Sequence, residues 1–178
     1  TIIFPEGKSV KILKAISMLK EEQVIRPILL GHEATIREKI EELDLDGLDD
    51  VRIWQPENHP RFNEFVDRFF ELRRRRGVMK AEAERLMTDP HYFSAMAVAC
   101  KEAEGLVSGA TRPYSECVHP ILEIIGTGHR KTASGLNIVL WQDRMILFAD
   151  TTMNIDPTAE QLAHIAIHAS QVAQFFKL

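Results

Sequence analysis

The feature that most limits what this chain can fold into is a regular alternation of short apolar runs with longer stretches of helical periodicity. Residues 2–4, 27–30, 51–54 and 106–108 are apolar runs too short for a helix and flanked by turn-forming or charged residues, so they are read as buried strands. Residues 8–20 space Val10, Leu13, Ile16 and Leu19 at helical intervals, and residues 34–43 do the same with Ile36, Ile40 and Leu43. Residues 61–76 carry Phe62, Phe65, Val66, Phe69 and Leu72, and Gly77 follows where a helix C-cap glycine belongs. A short helix is expected over 81–87. Asp89-Pro90 signals the start of a helix running to about residue 103, and a further helix is expected over 113–125. Strands that alternate with helices give a mainly parallel sheet covered on both faces, a three-layer α/β/α arrangement. Such sheets take ligands outside the carboxyl ends of their strands.

After residue 128 the pattern changes. Residues 133–140 and 145–149 read as a hairpin around the turn at 141–144. Asp156 then reads as the N-cap of a long helix with Leu162, Ile165, Ala169, Val172 and Phe176 on one face. The expected organisation is a first α/β domain over residues 1–130 and the start of a second over 131–178, truncated after its hairpin and helix.

The stretch from Gly105 to Ser115 carries the chemistry. Leu106 and Val107 run into the small residues Ser108, Gly109 and Ala110, then Thr111, Arg112, Pro113 and Tyr114. This is the pattern of a strand end, a tight loop and a helix amino terminus, where free N–H groups and the helix dipole favour anions. Small residues let a phosphate or carboxylate approach the backbone, and Arg112 can fork onto it. Tyr114 can stack on a base or lie half-buried in the loop. Arg73, Arg74, Arg75 and Arg76 form the densest charge run. They stabilise a helix carboxyl end or meet a ligand phosphate.

The chain has 178 residues and a net charge of -4, with 45% hydrophobic and 27% charged residues. The charge gives no reason to expect nucleic acid or an anionic membrane as partner, and no apolar run approaches the roughly 20 residues of a membrane span. Cys100 and Cys117 suit neither a zinc site nor a disulfide framework and are expected to be reduced in a cytoplasmic protein. No metal site is expected: His164 and His168 share a helical face without the intervening acid of a zinc-peptidase motif. The opening at Thr1, without methionine, reads as a trimmed start.

Several blocks carry a resemblance. Ile3-Phe4-Pro5-Glu6-Gly7, Arg26 to Gly31, Asp89 to Phe93, Gly105 to Thr127, and Phe148-Ala149-Asp150 through Asn154 to Leu162 keep their order along the chain. Together they resemble the phosphate acetyltransferase family. The resemblance implies a fold like that of isocitrate and isopropylmalate dehydrogenases, as in phosphotransacetylases. It also implies coenzyme A or acetyl-CoA, or an acyl phosphate, as the small-molecule partner, and a homo-oligomer. Ser108 and Gly109 match the family's serine-glycine, where the serine lines the acyl phosphate and coenzyme A cleft. Arg73 and Arg76 match a Glu-Leu-Arg stretch before a basic-glycine pair.

Within the family, Thr111 to Tyr114 and Asn154 to Pro157 are most similar to the carboxyl-terminal domain of hybrid NADP-dependent malic enzymes. His119-Pro120 stands where the acetyltransferases commonly have Arg-Pro, and a histidine is a poorer phosphoryl clamp than a guanidinium. The expectation is therefore a non-catalytic, acetyl-CoA-binding regulatory domain, with NADP and a divalent Mg or Mn ion in an upstream malic enzyme part. The alternative is a catalytic phosphate acetyltransferase with Ser108 in its active site, although this chain alone is expected to be inactive. A plain subunit-interface module is the third reading.

Overall fold

The structure is a computed structural model that describes residues 1–127 and 132–177. The chain separates into two compact units, Thr1–Gly126 and Thr127–Leu178. The domain boundary expected at 130/131 lies outside the described residues.

The first unit is built on a four-stranded, wholly parallel sheet with strand order β3-β2-β1-β4. Its strands are β1 (Ile2–Phe4), β2 (Pro27–Leu30), β3 (Arg52–Trp54) and β4 (Gly105–Leu106). The period-2 alternation of a strand sends neighbouring side chains to opposite faces, and the packing follows it. Ile3, Ile28 and Leu30 point into one core with Phe65, Phe69 and Phe93. Phe4 and Leu29 point into another with Leu13, Ile16, Ile36 and Ile40.

The first core is roofed by α3 (Phe62–Arg73), α4 (Lys80–Met87) and α5 (Pro90–Ala99), with Ile124 of α6 (Tyr114–Ile124) at its margin. The second is roofed by α1 (Val10–Glu21) and α2 (Glu33–Glu42). Helices thus cover both faces of the sheet, as expected from the alternation.

Several element ends differ from the sequence reading. Helix α5 stops at Ala99, because Lys101 turns into the left-handed region at φ 62°. Strand β4 is only Gly105–Leu106, since the chain peels away after it to make the loop described below. The arginine run closes α3 as a single 3-10 turn over Arg74–Arg76, and Gly77 ends it at φ 90°.

In the second unit, β5 (Leu136–Trp141) and β6 (Arg144–Ala149) pair antiparallel as the expected hairpin, followed by α7 (Ala159–Phe175). The N-cap of α7 is Thr158, not Asp156. The Thr158 hydroxyl accepts from the Gln161 N–H, and the Gln161 side chain accepts from the Thr158 N–H at 2.8 Å. This reciprocal capping box satisfies two donors at once, which Asp156, outside the first turn, cannot do. Among the described residues no helix is long and apolar enough to cross a membrane.

Candidate functional site

Chain order and strand order diverge between β1 and β4. The chain steps outward from β1 through β2 to β3, then returns to place β4 on the other side of β1. Loops that leave the carboxyl ends of two such strands diverge and open a crevice. Here they are the loop after β1, Pro5 to Ser9, and the loop after β4, Val107 to Pro113.

Gly7 is required in the first of these. A Cβ there would stand 2.6 Å from the Leu30 carbonyl oxygen, so only glycine lets the loop pack against the end of β2. The second loop turns at Gly109, whose φ of 112° disfavours any other residue.

The two loops are tied together by Glu6. Its Oε2 accepts the N–H groups of Gly109 at 2.9 Å and Ala110 at 3.0 Å. Its Oε1 accepts the N–H of Thr111 and the Thr111 hydroxyl, the latter at 2.6 Å. The backbone N–H groups that the small-residue turn was expected to offer an anionic ligand are taken by the protein's own carboxylate. Glu6 is 6% exposed. Burial works to raise its pKa, but the Thr111 hydroxyl and the three N–H groups prevail and hold it at about 2.

A second acid holds the other end of the loop. Asp89 caps α5 by accepting the His91 N–H on Oδ1 at 2.8 Å. Its Oδ2 accepts from Nη1 of Arg112, also at 2.8 Å. Arg112 is therefore oriented from behind by a group that is itself fixed to a helix end. Behind this pair, Glu123 on α6 accepts from the Arg73 guanidinium and, at 2.7 Å, from the Tyr92 hydroxyl. Burial, seconded by the Glu123 bond, pushes the Tyr92 hydroxyl upward, so it remains a donor.

Among the described residues, the buried side-chain polar atoms without a hydrogen-bond partner are Ser108 Oγ, both ring nitrogens of His91, and Arg73 Nε. His91 stands in the first turn of α5, Ser108 in the loop after β4 and Arg73 at the end of α3. Unsatisfied buried polar groups carry a desolvation cost of about 1–3 kcal/mol each and concentrate at functional sites. His91 is 3% exposed. Burial, and then the Arg112 charge, lower its pKa and favour the neutral ring, against the opposing pull of Asp89.

A cleft of about 460 Å³ opens beside His91, with Pro5, Lys8, Leu30, His32 and Arg112 among its other walls. The first turns of α1 and α2 begin there, and neither Ser9 nor His32 supplies a side-chain cap. Of the residues singled out from sequence, Thr111 and Arg112 line this cleft. Ser108 lies in the same loop with its hydroxyl buried, while Tyr114 is half exposed at the start of α6. Arg73 faces Glu123, and Arg76 lies exposed in the turn after α3. The residues missed by sequence reasoning are Glu6 as the loop's anchor and the second role of Asp89. Among the described residues no group of three or more His, Cys, Asp or Glu is placed to hold a metal ion.

The Glu6 geometry sets a pH dependence. A carboxyl whose folded pKa is lowered from 4.5 to about 2 adds stability that is fully present above the unfolded value and is lost as pH falls through the folded one. The amount is on the order of 3 kcal/mol. Urea midpoints should therefore drop between pH 5 and pH 2, and the Glu6→Gln variant should show a visibly flatter dependence over that window. Parallel curves for the two proteins would contradict the assignment.

A parallel α/β unit with a crevice at its strand switch point offers a candidate small-molecule site of the doubly wound kind, and the comparisons narrow it. The family model for phosphate acetyl/butaryl transferases matches residues 1–178, and the chain belongs to that family. It is 39% identical over 98% of its length to the phosphate acetyltransferase of Nitratidesulfovibrio vulgaris, of which it covers 25%. It is 37% identical over 99% of its length to the phosphate acetyltransferase of Bacillus subtilis, of which it covers 54%. A phosphotransacetylase structure from Streptococcus pyogenes superposes with a TM-score of 0.91 at 31% identity, over 99% of this chain and 54% of that one. The chain thus spans between a quarter and about half the length of these relatives.

These matches overturn the reading of the chain as a regulatory part of a malic enzyme. Phosphate acetyltransferases align with nearly all of it. The structure also removes one of its physical grounds. His119 is 66% exposed on α6, its Nε2 3.6 Å from Glu123, a carboxylate that Arg73 already engages. The histidine does not empty this corner of guanidinium groups, because Arg73 and Arg112 supply them.

Proposed function

We propose that this chain forms one wall of the active site of a phosphate acetyltransferase. The reaction moves an acetyl group between acetyl phosphate and coenzyme A. The coenzyme A thiol attacks the acyl carbon, a C–S bond forms, the C–O bond to phosphate breaks, and inorganic phosphate leaves with the electron pair, the proton lost by the thiol passing to the departing phosphate or to solvent. In this reading Arg112 and the Ser108 hydroxyl face the phosphoryl group, where charge-assisted and preorganised hydrogen bonds count most. Tyr114 and the exposed Arg76 are assigned to the coenzyme A side, and Arg73 to holding the corner through Glu123.

The observation that carries the proposal is the Arg112 guanidinium, oriented by Asp89 and lining the cleft at the strand switch point together with His91, whose buried ring nitrogens have no hydrogen-bond partner. The proposal includes a cytoplasmic, homo-oligomeric enzyme. This chain alone, as a single wall, is taken to be inactive.

The test is thioester formation from acetyl phosphate and coenzyme A by the intact protein that carries this chain. Turnover in the usual enzymatic range of about 1–10³ per second is expected. A rate no higher than that of the uncatalysed mixture would overturn the proposal.

A further inference from the structure

We propose that Glu6 is a positioning residue for acyl transfer: it fixes the loop after β4 so that Ser108 and Arg112 meet the substrate in one geometry. The inference rests on the acyltransferase reading and adds a residue to its machinery. At its centre the loop is Gly109 and Ala110, which have no long side chain to hold their shape. Its exposed backbone would sample many conformations, each ordered residue costing about 1–2 kcal/mol. The Glu6 carboxylate removes that freedom from a distance. It leaves the carboxyl end of β1, which lies in the centre of the sheet, and takes the donors of Gly109, Ala110 and Thr111.

Both carboxylate oxygens are engaged, and Gly7 beside it is pinned against β2. The anchor is therefore as rigid as the sheet. A consequence follows for the site. The N–H cradle is filled, so the loop keeps its backbone donors for Glu6 and meets the cleft with the Arg112 guanidinium. Specificity for a phosphoryl group then rests on Arg112, which Asp89 orients from the other end of the same loop.

Glutamine in place of Glu6 has the same shape but offers one acceptor oxygen and turns an NH₂ group toward donors. In the intact protein, Glu6→Gln should lose hydrogen-exchange protection at the amides of 109–111. Its kcat should fall about 10- to 100-fold, the scale of a small misplacement of reacting groups, with the KM for coenzyme A changed less than about threefold. Thr111→Val removes only the hydroxyl bond and should show a smaller loss of kcat that Thr111→Ser restores. This pair keeps the idea testable if Glu6→Gln fails to fold. A wild-type protein without turnover would sink the acyltransferase reading itself, whatever the exchange data show. Turnover in the wild type, with kcat preserved in a folded Glu6→Gln variant that has lost amide protection, or in Thr111→Val, would overturn the positioning role.

Discussion

Arg73→Met is expected to destabilise the protein by about 3 kcal/mol, because it leaves the Glu123 carboxylate buried beside α3 with its main counter-charge gone. Both side chains of the pair are largely shielded, with 14% and 15% exposure. Solvent screening is therefore weaker than at a surface bridge such as Arg74–Glu71, where both partners are more than half exposed. The Tyr92 hydroxyl still donates to Glu123 and limits the loss, which places the expectation at the low end of the range for broken buried pairs. The double variant Arg73→Met/Glu123→Gln should recover part of it, since the uncompensated charge is then removed. Urea unfolding of the intact protein is the measurement. A loss under about 1 kcal/mol would mean that the pair behaves as solvated surface, and that Arg73 is available to a ligand and not committed to the fold.

The layers of the first unit were legible because each rests on local information. Ile2–Phe4 is an apolar run stopped by Pro5, Pro27–Leu30 one bounded by Arg26 and Gly31, and both are strands over those residues. The apolar stripe Phe65, Val66 and Phe69 is the buried face of α3. The Asp89-Pro90 signal marks the start of α5 because a carboxylate cap and a proline first turn act within three residues. Even the correction at α7 had a local signal, since Thr158 and Gln161 stand at capping-box spacing.

What was not legible depends on distance along the chain. Glu6 meets its loop across more than 100 residues, through backbone donors that any small residue would provide. No spacing rule encodes such a contact. The second oxygen of Asp89 on Arg112, and Arg73 on Glu123, are likewise products of how α5, α6 and the sheet pack. The regulatory reading leaned on His119 as a poorer phosphoryl clamp than arginine, and no local pattern could show that this side chain is 66% exposed on α6 while Arg112 lines the cleft.

Arg112 is where the account is most exposed to contradiction. Its guanidinium is held by Asp89 at 2.8 Å and lines the cleft at the strand switch point. The direct measurement is kcat/KM for acetyl phosphate in the intact protein, compared among wild type, Arg112→Ala and Arg74→Ala. Asp89 keeps its bonds to the first turn of α5 when Arg112 is truncated, so the fold should survive the change. Loss of a charge-assisted hydrogen bond to the phosphoryl group should lower kcat/KM about 10- to 100-fold, equivalent to about 1.5–3 kcal/mol. Arg74→Ala removes an exposed cation whose ion pair lies on the surface and should stay within about twofold. Equal losses at the two positions would reduce the attraction to diffuse electrostatics, and an Arg112→Ala enzyme as fast as wild type would place the phosphoryl site elsewhere.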